Sequence, residues 1–153
     1  MFKVTVIGLG NPLLRDEGLG VKVVEKLKEI PLPDEVKIVE AGTYWLEDEE
    51  ILKAEKIILV DAVKGGGRPG SIYRIPFQEI NLKMPLPLSL QEISFIEFLH
   101  RLRRASRNKE VVLFGIEPAE IGPGDGLSEI LKEKLPLLLG FIVKEVKDAC
   151  HRT

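Results

Sequence analysis

The chain has 153 residues, 44% hydrophobic and 30% charged, and 22 Lys and Arg face 24 Asp and Glu for a net charge of −2. That is the size of one domain with a real core, and the near-neutral balance carries no electrostatic footprint for nucleic acid. The lone cysteine, Cys150, excludes an internal disulfide and fits a reducing compartment.

The start, MFKVTVIGLG, runs straight into a strand pattern and is not a signal peptide. Nor does any apolar run approach the ~18 residues of a membrane helix, so a cytoplasmic protein without a membrane or nucleic-acid partner is expected. Val4–Ile7 is β-branched and ends in glycine, a buried strand. From Gly18 to Ile30, Val23, Leu27 and Ile30 share one helical face, with Val24 beside them. PLPDE breaks that helix, and Val36–Val39 is a second strand. WLEDEEILKA predicts a short acidic helix before Ile57–Val60, an all-apolar run of the kind covered on both faces. The turn KGGGRPG leads to a strand at Ser71–Ile75. Pro76–Leu88, with three prolines and no period, reads as a loop.

Ser89–Arg104 carries an apolar stripe and a basic end, as a helix C-terminus prefers. Val111–Phe114 is a further buried strand. Leu127–Lys147 is helical with a break near Pro136, and Leu138, Ile142 and Val146 line one face. Strands alternating with helices predict an α/β fold: one domain over residues 1–153, a three-layer α/β/α sandwich around a mostly parallel sheet. The strand order is not readable from this pattern.

In open parallel sheets functional groups gather beyond the carboxyl ends of the strands. Glu17 falls in the loop after the first strand and Asp61 directly after Ile57–Val60. If those strands are neighbours, both carboxylates face one crevice, where two acids need a cation, a shared proton or a catalytic task. Plainer roles exist for each. Asp16 fits the cap of the helix starting near Gly18, Glu17 suits the dipole of a first turn, and an Asp after a strand often only fixes a turn. A nucleotide loop fits poorly, because Leu13 stands where G-x-G-x-x-G needs its third glycine and no P-loop lysine follows. Gly8 and Gly10 would let backbone approach whatever occupies the crevice, and Gly18 and Gly20 would let the helix start pack tightly.

The segments GLGNPLLRDEGLG, EAGT (Glu40–Thr43), ILVDAV…PG (Ile58–Gly70) and GIEP…GDGLS (Gly115–Ser128) resemble those of the hydrogenase maturation endopeptidases, in order and spacing, over nearly the whole chain. The resemblance implies a protease that removes a C-terminal extension from the large-subunit precursor of a nickel–iron hydrogenase after nickel insertion. It implies Glu17 and Asp61 as catalytic, nickel-contacting residues, and Gly42, Thr43 and Asp16 against the substrate. The nickel would be presented by the substrate itself, with no organic cofactor. At the third metal position the family has a histidine, and this chain carries Gln91. His100 lies about 13 Å further along a helix and Glu92 is turned ~100° around it, so neither simply substitutes. A carboxamide oxygen is a harder and weaker ligand for nickel than imidazole.

The remaining candidates are weaker. Cys150-His151 would need fixed geometry for a thiol protease, yet sits beside the C-terminus. No G-x-S-x-G elbow or H-E-x-x-H helix is present, so hydrolysis would have to use a metal-polarised carbonyl or water. Glu117, Glu120 and Asp125 lie after a strand and border the expected cleft, and Asp125 or Ser128 suits the cap of the last helix. Peptidyl-tRNA hydrolases also open on GLGNP, but their asparagine–histidine element is missing and Arg101, Arg103 and Arg104 form only a small basic run. A non-cleaving nickel-sensing maturation chaperone is the other alternative, and Gln91 is what favours it.

Overall fold

A computed structural model describes residues 2–40, 53–79, 104 and 109–151. The expected acidic helix at WLEDEEILKA, the helix Ser89–Arg104 and most of the loop Pro76–Leu88 lie outside the described residues, apart from their few described ends. Five strands form one sheet: β1 (Val4–Gly8), β2 (Val36–Glu40), β3 (Lys56–Ala62), β4 (Ile72–Pro76) and β5 (Glu110–Ile116), in the order β2-β1-β3-β5-β4. β1 pairs in parallel with β2 and β3, and β3 with β5, while β4 runs antiparallel along the outer side of β5. Pro76, which cannot donate to a ladder, ends that edge strand, as proline in a sheet must.

Two helices, α1 (Leu19–Leu27) and α2 (Glu129–Cys150), cover one face. Val4, Val6, Ile58, Val60, Val112 and Phe114 meet Leu19, Val23 and Leu27 of α1 and the stripe Leu131, Leu135, Leu138, Ile142 and Val146 of α2. The alternate strand residues Ile7, Ile57, Leu59, Val111 and Leu113 point the other way and are equally buried. A sheet buried on both faces is what a three-layer α/β/α sandwich requires, and the mostly parallel expectation holds.

Several boundaries differ from the sequence reading. α1 ends at Leu27, not Ile30: the residues to Ile30 close with short i→i−3 bonds, because Pro31 disfavours helical geometry in the residue before it. β3 runs on to Ala62, so Asp61 lies inside the strand end, paired with Gly115, and not after it. The segment from Pro76 begins as strand and continues as a 3-10 turn, Phe77–Glu79. The last helix passes through Pro136 without a break. Proline frees the carbonyl of Lys132, but both residues are exposed, so water can satisfy that group. Cys150 closes this helix, half-buried, with its carbonyl accepting from Lys3 Nζ at 3.3 Å, so the end is not frayed.

At the amino end of the parallel strands, Lys56 is almost fully buried between Glu110 (3.0 Å) and Glu145 of α2, which Arg74 of β4 also grips at 2.8 Å. The Arg74 hydrogen bond, with Lys56 behind it and against the effect of burial, lowers Glu145 to about 2. The loop that carries Glu17 and the end of β3 that carries Asp61 lie at the other end.

Candidate functional site

β1 and β3 are adjacent and parallel, register Gly8↔Val60, and Leu9 N–H donates to Val60 O at 2.8 Å. The condition for a shared crevice is therefore met. After β1 the chain loops through Leu9–Arg15 into a 3-10 turn, Asp16–Gly18, that packs on β3. Gly10, at φ +119°, sits between the Glu17 backbone and the Asp61 carboxylate: a Cβ there would run into the Glu17 carbonyl oxygen and lie 3.3 Å from Asp61 Oδ1. Only glycine fits that conformation and that gap. Gly8, by contrast, does not open onto the crevice. It packs against the backbone of Gly20, seating the first turn of α1 directly on the strand ends.

Asp61 is fully buried and its Oδ1 accepts from the Ala62 N–H at 2.8 Å, which fixes the carboxylate orientation. Glu17 is half-buried, and its carboxylate has no hydrogen-bond or ion-pair partner among the described residues. One acid is held and the other is without a partner among the described residues, on neighbouring segments at the carboxyl end of the sheet. Such a pair offers hard oxygen donors to a cation, or a base for a water proton. Among the described residues no trio of His, Cys, Asp or Glu converges on a metal-sized site. Gln91, Gly42 and Thr43 lie outside the described residues, as does His100.

Asp16 plays a part the sequence reading missed. It caps neither the 3-10 turn nor α1, and both of its carboxylate oxygens are taken up by groups of the chain itself. Its Oδ2 accepts from the N–H groups of Ala119 (2.9 Å) and Glu120 (2.8 Å) and from Ser128 Oγ (2.8 Å), and its Oδ1 from Ser128 N–H (2.8 Å). Ser128 stands at the N-cap of α2, yet its hydroxyl donates to Asp16 and does not cap the helix. Backbone bonds extend the fastening: Asp16 N–H to Glu120 O (3.0 Å), Arg15 N–H to Gly124 O (3.3 Å), Gly124 N–H to Leu13 O (3.1 Å). Arg15, at φ 52° and ψ −112°, is the described non-glycine residue with positive φ, and its guanidinium pairs with Glu120 at 2.6 Å. Strain of this kind persists only where the surroundings over-determine it. Here it accompanies a parting of consecutive residues, Asp16 into the interior and Glu17 only half-buried. No local pattern pairs Asp16 with Ser128, 112 residues away, so sequence alone offers no signal for it.

Glu117, expected to border the cleft, is buried beneath the glycine-rich turn instead. Its Oε1 accepts from Gly65 N–H (2.7 Å), Gly67 N–H (3.2 Å) and Tyr73 OH (2.7 Å), fixing the connection that crosses over the end of β5. Burial, then the bond to Glu117, pushes the Tyr73 hydroxyl above its ordinary value. Cys150 packs against the core, and burial followed by nearby Glu35 pushes its thiol up, away from a reactive thiolate.

This arrangement has known counterparts. A family model described as hydrogenase maturation protease matches residues 21–145. A relative from Methanocaldococcus jannaschii is 32% identical, over 94% of this chain and 96% of its own. The hydrogenase 2 maturation protease of Escherichia coli is 26% identical over 96% of this chain and 92% of its length. The fold is that of the solved hydrogenase maturating endopeptidase HybD from E. coli, with TM-score 0.78 at 23% identity over 97% of this chain and 94% of that one. Matched over most of its length, the chain belongs to the hydrogenase maturation protease family and is a peptidase.

Proposed function

We propose that this protein removes the C-terminal extension of a nickel–iron hydrogenase large-subunit precursor once nickel is in place, as one domain acting in the cytoplasm. The nickel is part of the substrate, and Glu17 and Asp61 contact it. The observation that carries this reading is the meeting of the Glu17 backbone and the oriented Asp61 carboxylate at Gly10, where no side chain would fit, so that both acids belong to adjoining segments at the carboxyl end of the sheet. Substrate nickel polarises the scissile carbonyl as a Lewis acid, and a carboxylate takes the proton of the attacking water. Gln91, in the place of the family histidine, adds at most a weak third ligand, so the enzyme engages nickel chiefly when the precursor presents it. Gly42 and Thr43 serve the bound chain. Asp16 serves it indirectly, by fixing the loop from which Glu17 projects.

The test is incubation of nickel-loaded and nickel-free precursor with wild type, Glu17→Gln and Asp61→Asn, read by mass. Wild type should shorten only the nickel-loaded form, and each variant should be slowed by about a hundredfold or more, the scale for removing a group that stabilises the transition state. Equal cleavage of nickel-free precursor would refute the role of nickel. Binding of nickel-loaded precursor without any cleavage by wild type would establish the non-cleaving chaperone instead.

A further inference from the structure

A groove of about 430 Å³ runs between α1 and α2, on the flank of the loops that carry the site. Its floor is apolar, formed by Leu127, Leu135 and Leu139, and its rim carries Lys22, Lys26 and Lys132, with no carboxylate among the lining residues. Lys26 has no ion-pair partner among the described residues. Lys22 and Lys132 are engaged only by exposed neighbours on their own helices, Glu25 at 3.3 Å and Glu129 at 3.4 Å. Such contacts are weak and readily exchanged for a better carboxylate. Pro136 adds a backbone feature on the same wall, because it deprives the Lys132 carbonyl of its helical donor and leaves an acceptor there. A smaller groove of about 140 Å³ shares Lys22, Gly126 and Leu127 with the first and continues to Pro12, Arg15 and Gly18, next to Glu17 in sequence; Glu25 and Asp125 also line it, so the acidic part of a ligand belongs in the larger groove.

An apolar floor under three ammonium groups selects one chemistry, apolar anchors flanked by negative charge. The volume suits a few side chains, and the continuation toward Glu17 suits an extended polypeptide better than a compact ligand. We propose that this groove docks an acidic, amphipathic segment of the protein substrate, remote from the bond that is cut. Apolar side chains of that segment sit on Leu127, Leu135 and Leu139, and its carboxylates replace Glu25 and Glu129 as partners of the lysines. The proposal rests on the reading of the chain as a precursor-processing protease, and it assigns the α1–α2 face to substrate selection.

The experiment is steady-state processing of nickel-loaded precursor by wild type, by the double variant Lys26→Glu/Lys132→Glu, and by Leu139→Asp. Melting temperatures establish that each variant is folded. Charge reversal at two rim positions should raise KM by about tenfold and leave kcat within twofold, because the lysines hold substrate and not the reacting atoms. Raising salt from about 50 to 300 mM should raise the wild-type KM and flatten that difference. The same variants are tested for precursor binding in an Asp61→Asn background, which separates docking from cleavage. A folded double variant with unchanged KM and unchanged binding would overturn the groove while leaving the proteolytic reading intact. Binding that depends on the lysines without cleavage by wild type would keep the groove and overturn proteolysis. Failure of wild type either to bind or to cleave the precursor would overturn both.

Discussion

Replacing Asp16 by asparagine tests the clamp apart from the crevice carboxylates. The side chain keeps its volume and loses its charge. Three donors converge on Oδ2 (Ala119 N–H, Glu120 N–H and Ser128 Oγ), so the single oxygen of asparagine has to turn there. Its NH₂ then faces the Ser128 N–H that Oδ1 accepts at 2.8 Å, placing two donors opposite each other where Asp16 is wholly inaccessible. A hydrogen bond to a charged group contributes about 1.5–3 kcal/mol, and a buried donor without a partner costs about 1–3 kcal/mol. Because these two describe overlapping losses, a destabilisation of about 3 kcal/mol is expected, which for a chain of this size lowers Tm by roughly 6–12 °C. The fold should survive, since stability is typically about 5–15 kcal/mol. Glu17→Gln, one residue on, should shift Tm by no more than about 2 °C, as a half-buried side chain without a partner among the described residues has little to lose. The assay is calorimetric melting of both variants with urea unfolding as a second measure. An Asp16→Asn protein that melts within about 2 °C of wild type would show that the clamp does not hold the two loops together.

Two further outcomes follow from buried polar groups elsewhere. Thr5 Oγ1 is buried without a hydrogen-bond partner among the described residues, so Thr5→Val should raise stability by about 1 kcal/mol, or roughly 2–4 °C in Tm; a clear loss would mean that the hydroxyl has a partner. Glu145 is lowered from 4.5 to about 2 in the folded state, so its contribution is complete above pH 4.5 and lost as pH falls toward 2. That contribution is about 2–3 kcal/mol, trimmed for the solvent around the half-exposed Arg74. Urea midpoints of wild type and Glu145→Gln should therefore converge between pH 4.5 and 2.5, and a gap independent of pH would refute the ion network.

Local pattern carries a good deal of this protein. The β-branched runs that become β1, β3 and β5, the stripes of α1 and α2, and the alternation that makes a parallel sheet are periodicities of a few residues, which a chain cannot hide. The placement of Glu17 and Asp61 was legible for a related reason: the residue that follows a parallel strand, or ends one, must stand at the carboxyl end of the sheet. Strand order is different, because pairing β1 between β2 and β3, and turning β4 back along β5, depends on how separate segments bury their faces together. The same holds for the fate of adjacent acids. Asp16 and Glu17 are equivalent as letters in RDEGLG, and only the arrival of Ala119, Glu120 and Ser128 from more than a hundred residues away takes up the carboxylate of one and not, among the described residues, that of the other. Pro136 shows the reverse case, a local breaker overruled because it and Lys132, whose carbonyl it frees, lie on the exposed side of the helix while Leu135 and Leu138 on either side stay locked in the core. Lys56 completes the pattern. As a letter it begins an apolar strand, and only the meeting of β3, β5, β4 and α2 supplies Glu110 and Glu145, without which a buried ammonium would be too costly to keep.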